Sequence, residues 1–149
     1  MKTWKSSQNL VTGILIALLI QACGLFISPY NATSLEYLTR LKAFHLKFID
    51  DFTASEIRTF SESQVRERFD VGDLLFREAL EYATRVTEDK LRVNAFQILY
   101  DEFKDDTGTL LEQKDLFSPA AAKVLKGIVE SNYNSAIEGE QVRRNGPAN

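Results

Sequence analysis

The 149 residues include one cysteine, one methionine, one tryptophan and one histidine. A lone cysteine excludes an internal disulfide and a c-type haem attachment, which needs two thiols. A haem bound otherwise needs a second axial ligand, and residues 23–149 offer no methionine and only His45. The paired Glu-x-x-His motifs of a di-iron bundle are missing, since Lys42 stands three residues before His45. No glycine-rich phosphate loop, G-x-S-x-G, S-x-x-K or H-E-x-x-H occurs. Sustained alternation of apolar and polar residues is lacking too, so no β-strand is signalled.

Basic charge is scarce where a nucleic-acid binder would concentrate it. Residues 1–22 carry Lys2 and Lys5 and no acid. Beyond them, 16 basic side chains face 21 acidic ones, a formal −5. That balance excludes a nucleic-acid footprint and opposes electrostatic docking of the domain on anionic lipid.

What is present begins with the leader. "MKTWKSSQNL" is polar and basic, "LVTGILIALLI" (residues 10–20) is an apolar run of 11 residues, and "QACG" follows. A basic start, a short apolar core and small residues at its end have the layout of a secretory signal peptide. Ile20-Gln21-Ala22-Cys23, followed by Gly24, resembles the lipobox of bacterial lipoproteins, with Ile20, Ala22 and Cys23 at the matching places. The resemblance extends from Met1 to Gly24 and no further. It implies removal of residues 1–22, a diacylglyceryl thioether on Cys23 and acylation (palmitate) of the new N-terminus. Several acyl chains give a durable membrane anchor. Gly24, where such proteins retained at the inner membrane tend to carry Asp, points to an outer-membrane lipoprotein facing the periplasm. Two alternatives stay open. The stretch Leu10–Ser28 has no charge and is long enough for a single spanning helix in the inner membrane, with Tyr30 at the interface. Cleavage without lipidation would release the domain.

The chain divides into a signal peptide (1–22), a lipidated Cys and tether (23–33), a helical domain (34–137) and a flexible polar tail (138–149). Thr33 or Ser34 caps a first helix over 34–52, with Leu38, Leu41, His45, Phe48 and Phe52 as its buried stripe. Thr53 and Glu56 form a capping box for a second segment, with Ile57, Phe60, Val65 and Phe69 inward, which Gly72 in "DVGD" interrupts. A third helix over 73–86 buries Leu75, Ala79, Tyr82 and Val86. "TED" (87–89) caps a fourth over 88–105, with Leu91, Ala95, Phe96, Leu99 and Phe103 inward, ended by Gly108 as a left-handed cap. Thr109 and Glu112 form another capping box for a short turn. Ser118 and Pro119 open the last helix, with Ala121, Val124, Leu125, Ile128 and Tyr133 inward. The fold expected is all-α, a small bundle of four to five amphipathic helices after the signal or anchor segment.

No catalytic set, cofactor site or metal site emerges. Asp106-Thr107-Gly108 spells the aspartic-protease triplet, but it occurs once, on helical periodicity. Asp101, Glu102, Asp105 and Asp106 suggest Ca²⁺, yet the EF-hand register puts Phe103 and Asp106 at the wrong places. His45 reads as a core-edge histidine bonded to a neighbour. Asn31-Ala32-Thr33 is a glycosylation sequon, inert in a bacterial setting. The function expected is that of a membrane-anchored envelope accessory protein, not an enzyme, whose partner is another envelope protein. A binding module for an apolar ligand or lipid between Phe-rich helices is the alternative.

Overall fold

Each helix starts where a short polar side chain accepts a backbone N–H that would otherwise lack a partner. Asn31 accepts from Ser34 N at 2.8 Å, Ser61 from Gln64 N at 3.4 Å, Asp89 from Leu91 N at 2.9 Å and Ser118 from Ala121 N at 3.2 Å. The computed structural model describes residues 28–55 and 59–145. Among these residues it contains four α-helices: α1 (Ala32–Asp51), α2 (Glu62–Tyr82), α3 (Lys90–Gln113) and α4 (Pro119–Asn145). A π turn, Ala83–Thr87, leads from α2 towards α3, and a 3₁₀ turn, Lys114–Leu116, precedes α4. The fold is a small all-α bundle.

Cross-links between helices set the topology. Asn31 meets Glu140, Lys42 meets Asn134, and Asp50 meets Lys126, so α1 and α4 are antiparallel. Asp73 meets Tyr100 across α2 and α3, and Glu102 meets Asn132 across α3 and α4. Arg40 meets Glu78 across α1 and α2. The helices therefore run up and down in turn. At one end the α1–α2 linker closes the bundle, Ala54 N donating to Phe117 O at 2.9 Å and Phe60 N to Asp115 Oδ1 at 3.0 Å. Phe117 is buried beneath this closure.

The core is aromatic, and Phe103 of α3 is its hub. Its ring stacks on Phe76 at 4.9 Å and on Phe69 at 5.5 Å from α2. From α1 it meets Phe48 at 5.1 Å and Phe44 at 5.9 Å edge-on. Such pairs add to the burial of their area. Leu38, Leu41, His45 and Phe48 are buried as their spacing predicts, as are Val65, Ala79, Phe96, Leu99 and Tyr133.

The structure departs from the sequence expectations where tertiary contacts outweigh local preference. Gly72 does not interrupt anything: α2 runs through it, and a Cβ there would lie 2.5 Å from Phe103 and 2.6 Å from Phe44. The glycine admits the hub ring. Gly108 is not a cap, because α3 continues to Gln113 and buries Leu110. Thr109 and Glu112 therefore lie inside a helix. The Thr53 hydroxyl turns back to the end of α1, donating to Ile49 O at 2.7 Å. Its expected capping partner Glu56, and Ile57 beside it, lie outside the described residues. α4 extends as helix to Asn145, past residue 137, because Glu140 is buried and paired. Val86, Leu91, Val124 and Ile128, expected inward, are exposed at 63%, 69%, 67% and 51%. On α4 the buried stripe is Ala122, Val129 and Tyr133 instead.

Candidate functional site

Two polar clusters are built into the bundle, one at the end where the chain enters it and one in the core. The first gathers residues from α3, α4, the turn before α3 and the segment before α1. Arg92 Nε donates to Glu140 Oε1 at 2.6 Å and Arg92 Nη2 to Glu140 Oε2 at 3.0 Å. Arg143 Nη1 reaches Glu140 Oε1 at 2.8 Å, and its Nη2 lies 2.9 Å from Asp89 Oδ2. The side chains of Arg92 and Glu140 are 3% and 2% exposed, so each depends on the other to offset the loss of water. Two planar groups meeting at two points hold one another in a fixed orientation.

This cluster also grips the entering chain. Arg92 Nη2 donates to Pro29 O at 3.1 Å, and Asn31 N to Glu140 Oε2 at 3.4 Å. Tyr82 Oη donates to Asn31 Oδ1 at 3.1 Å, the atom that also caps α1. Arg144 lies over the Tyr30 ring at 5.8 Å. Residues 29–31 are thus tied to α2, α3 and α4 together. Cys23, the one site residue the sequence singles out, lies outside the described residues, as does the whole leader.

The second cluster surrounds His45 on α1. Its Nε2 lies 2.9 Å from Asp106 Oδ2 on α3, and its ring meets Phe103, Tyr133 and Phe76 edge-on at 5.1, 6.1 and 6.4 Å. The 2.9 Å approach lacks hydrogen-bond geometry: both ring nitrogens of His45, Oδ2 of Asp106 and Oη of Tyr133 are buried without a hydrogen-bond partner among the described residues. The Tyr133 phenol is held well above its ordinary pKa, chiefly by burial and also by the Glu102 and Asp106 carboxylates. Burial likewise raises Glu102, against the opposing effect of its bond with Asn132. His45 has no exposed surface. In this conformation it cannot touch a substrate, and the His45–Asp106 pair is a polar brace between α1 and α3.

No protein-family model, curated protein or solved structure matches this chain.

The acidic run on α3 does not converge. Asp101 pairs with Lys104, which holds its carboxyl below the usual range together with Gln97. Glu102 turns to Asn132, Asp105 is exposed, and Asp106 faces His45. Among the described residues no three His, Cys, Asp or Glu side chains stand where they could hold a metal ion. The Asp106-Thr107-Gly108 triplet is mid-helix, with the Thr107 hydroxyl donating to Phe103 O at 2.8 Å. Among the described residues no helix is long and apolar enough to cross a membrane.

The clasp was open to sequence reading in one respect. Arg92 continues the buried stripe Phe96, Leu99 and Phe103 one turn earlier, and Glu140 continues Val129 and Tyr133 two turns later. A charge on an inward stripe signals a buried partner.

Proposed function

We propose that this protein is a membrane-anchored helical lipoprotein of the bacterial envelope, joined to the outer membrane through Cys23, that acts by binding another envelope protein. The observation that carries the reading is a juxtaposition. The lipobox-like Cys23 stands only six residues before Pro29, whose carbonyl the buried Arg92 holds. Six residues span about 20 Å at most. A lipid on Cys23 would therefore keep one chosen end of the bundle close to the bilayer, as an anchored docking platform requires.

The surface offered to a partner would be the open side between α3 and α4. Ile98 on α3 and Val124 and Ile128 on α4 are exposed at 54%, 67% and 51%. Between the same two helices, beside the Arg92–Glu140 pair, lies a cleft of about 250 Å³ lined in part by Leu91, Ala95, Ser135, Ala136 and Gly139. Small residues would let another helix approach closely. The Phe-rich interior is filled by the rings around Phe103, which favours a protein partner over an apolar ligand held between the helices.

Feeding cells an alkyne-bearing fatty acid tests the anchor. Label should enter the wild-type chain and be lost in Cys23→Ser. A photo-crosslinker at Ile98 or Ile128 should give a discrete adduct with an envelope protein, and one at exposed Arg66 on α2 should not. Absence of both results would remove the proposal.

A further inference from the structure

Spacing by sevens lays out two rows of side chains on the open side of the bundle. Leu91, Ile98, Asp105 and Glu112 recur every seventh residue of α3, and all four are exposed. Seven residues are close to two helical turns, so the four share one line. Ile128, Ser135 and Val142 form an exposed line on α4 in the same way. The Glu102–Asn132 bond lies between the two lines, each of its residues three or four positions from members of its own line. One cleft is lined by both Leu91 and Ser135, and also by Ala95, Ala136 and Gly139. The lines are therefore the two rims of one groove, about 30 Å long. Arg92 meets Glu140 and Glu102 meets Asn132, so Leu91 stands level with Val142 and Asp105 with Ile128.

The groove changes character along its length. Near the clasp Leu91, Ile98 and Val142 are apolar and the cleft is lined by small residues. At the other end α3 presents Asp105 and Glu112, with Glu102 half-buried below them, opposite Val124 and Ile128 of α4. No cation pairs with Asp105 or Glu112 among the described residues. The nearby cations are engaged elsewhere, Lys104 with Asp101 and Lys126 with Asp50. Lys123, three residues before Lys126, shares the side of α4 that meets α1. Glu112 stands in the last turn of α3, where the helix dipole disfavours an acid. A cation arriving from outside would offset that cost.

We infer that this groove takes an amphipathic helix of another protein, whose apolar stripe seats between Ile98 and Ile128 and whose Lys or Arg residues gather at one end, over Asp105 and Glu112. A helix in an apolar groove is held by anchors three and four residues apart, and rim charges set its register. A second copy fits poorly, because a two-fold pairing would bring the same acid-rimmed face against itself. An anionic bilayer would be repelled by the same carboxylates. The inference rests on the reading of this side as a partner surface and is independent of the lipid on Cys23. It adds the shape and the charge of the segment that docks.

The test is photo-crosslinking in intact bacteria, with the reactive residue at Ile128 of the full chain and the adduct mapped by mass spectrometry. The expected adduct lies in a helical segment of another envelope protein, with Lys or Arg clustered at one end. Asp105→Lys with Glu112→Lys should lower its yield about tenfold, and Glu67→Lys on α2 should leave it unchanged. All three positions are exposed, so the variants should fold. Changing the mapped cations of the partner to Glu should restore the yield with the doubly reversed chain, which separates lost docking from lost folding. An adduct in a segment without clustered cations, or one whose yield survives the double reversal, would overturn this inference and leave the partner surface standing. An adduct with lipid or a second copy, or none at all, would overturn both.

Discussion

Arg92 and Glu140 meet as a two-point ion pair between distant parts of the sequence, with nearly all of both side chains removed from water. The pair joins α3 to α4, and the same guanidinium holds Pro29 O. Fixing the entering chain and closing the bundle end are one structural act. Removing a single partner should be costly, because it strands a buried charge. Glu140→Ala should lower stability by about 3–5 kcal/mol in urea unfolding. Arg92→Met with Glu140→Leu should recover most of that loss. A single variant at wild-type stability would contradict the buried pairing.

Gly72 and Gly127 should respond oppositely to the same substitution. Alanine is the better helix former by about 1 kcal/mol. At Gly127 a Cβ meets nothing within 4 Å, so Gly127→Ala should stabilise by about 0.5–1 kcal/mol. At Gly72 it would lie 2.5 Å from Phe103, and Gly72→Ala should destabilise by about 1–3 kcal/mol despite its propensity. Thermal melts of the two variants check both signs.

The His45–Asp106 brace should matter to stability, and its loss should leave the surface unchanged. Asp106→Ala removes the carboxylate that lies 2.9 Å from a buried imidazole. The expected cost is about 1–3 kcal/mol by denaturant titration, the range for leaving a buried polar group without its neighbour. Tethering to the membrane should persist in any folded fraction, because the clasp around Arg92 is a separate cluster.

Two titrations should each lower stability as pH rises, in separate ranges. Tyr100 donates to Asp73, and its phenol is pushed up to about 12, mainly by burial and then by that carboxylate. The folded state thus holds this proton more tightly than the unfolded one. Stability should fall as pH rises from about 10 towards 12, and an absorbance titration of phenolate should lose a step near pH 12 in Tyr100→Phe. Glu102 is also raised, but in the carboxylate range. Its folded form binds the proton more readily, so this group favours the fold most at low pH and least once ionised. Glu102→Gln should gain about 0.5 kcal/mol at neutral pH and nothing at pH 3.

The sequence announced the helices through their stripes and caps, and it misled wherever one residue was judged without its distant neighbour. Leu38, Leu41, His45 and Phe48 repeat at helical spacing and are buried. Ser118 and Pro119 open α4, as a cap followed by proline predicts. Gly72 looks like a weak point locally because nothing nearby in sequence reveals Phe103, on the next helix, pressing into its missing side chain. Val86, Leu91, Val124 and Ile128 fit a helical face equally well, but the helices turned other faces inward. The clasp was hidden for a different reason. Arg92 and Glu140 read as solvent-facing charges until each is placed on the stripe of its own helix. Their pairing is a property of the fold and not of either segment.

The most direct test of the account is the intact mass of the chain recovered from bacterial membranes, with and without Cys23→Ser. The wild-type protein should begin at Cys23 and carry a diacylglyceryl group and an N-terminal acyl chain, and the variant should keep residues 1–22 without lipid. An unmodified wild-type chain starting at Met1 would contradict the anchor on which the proposed function stands.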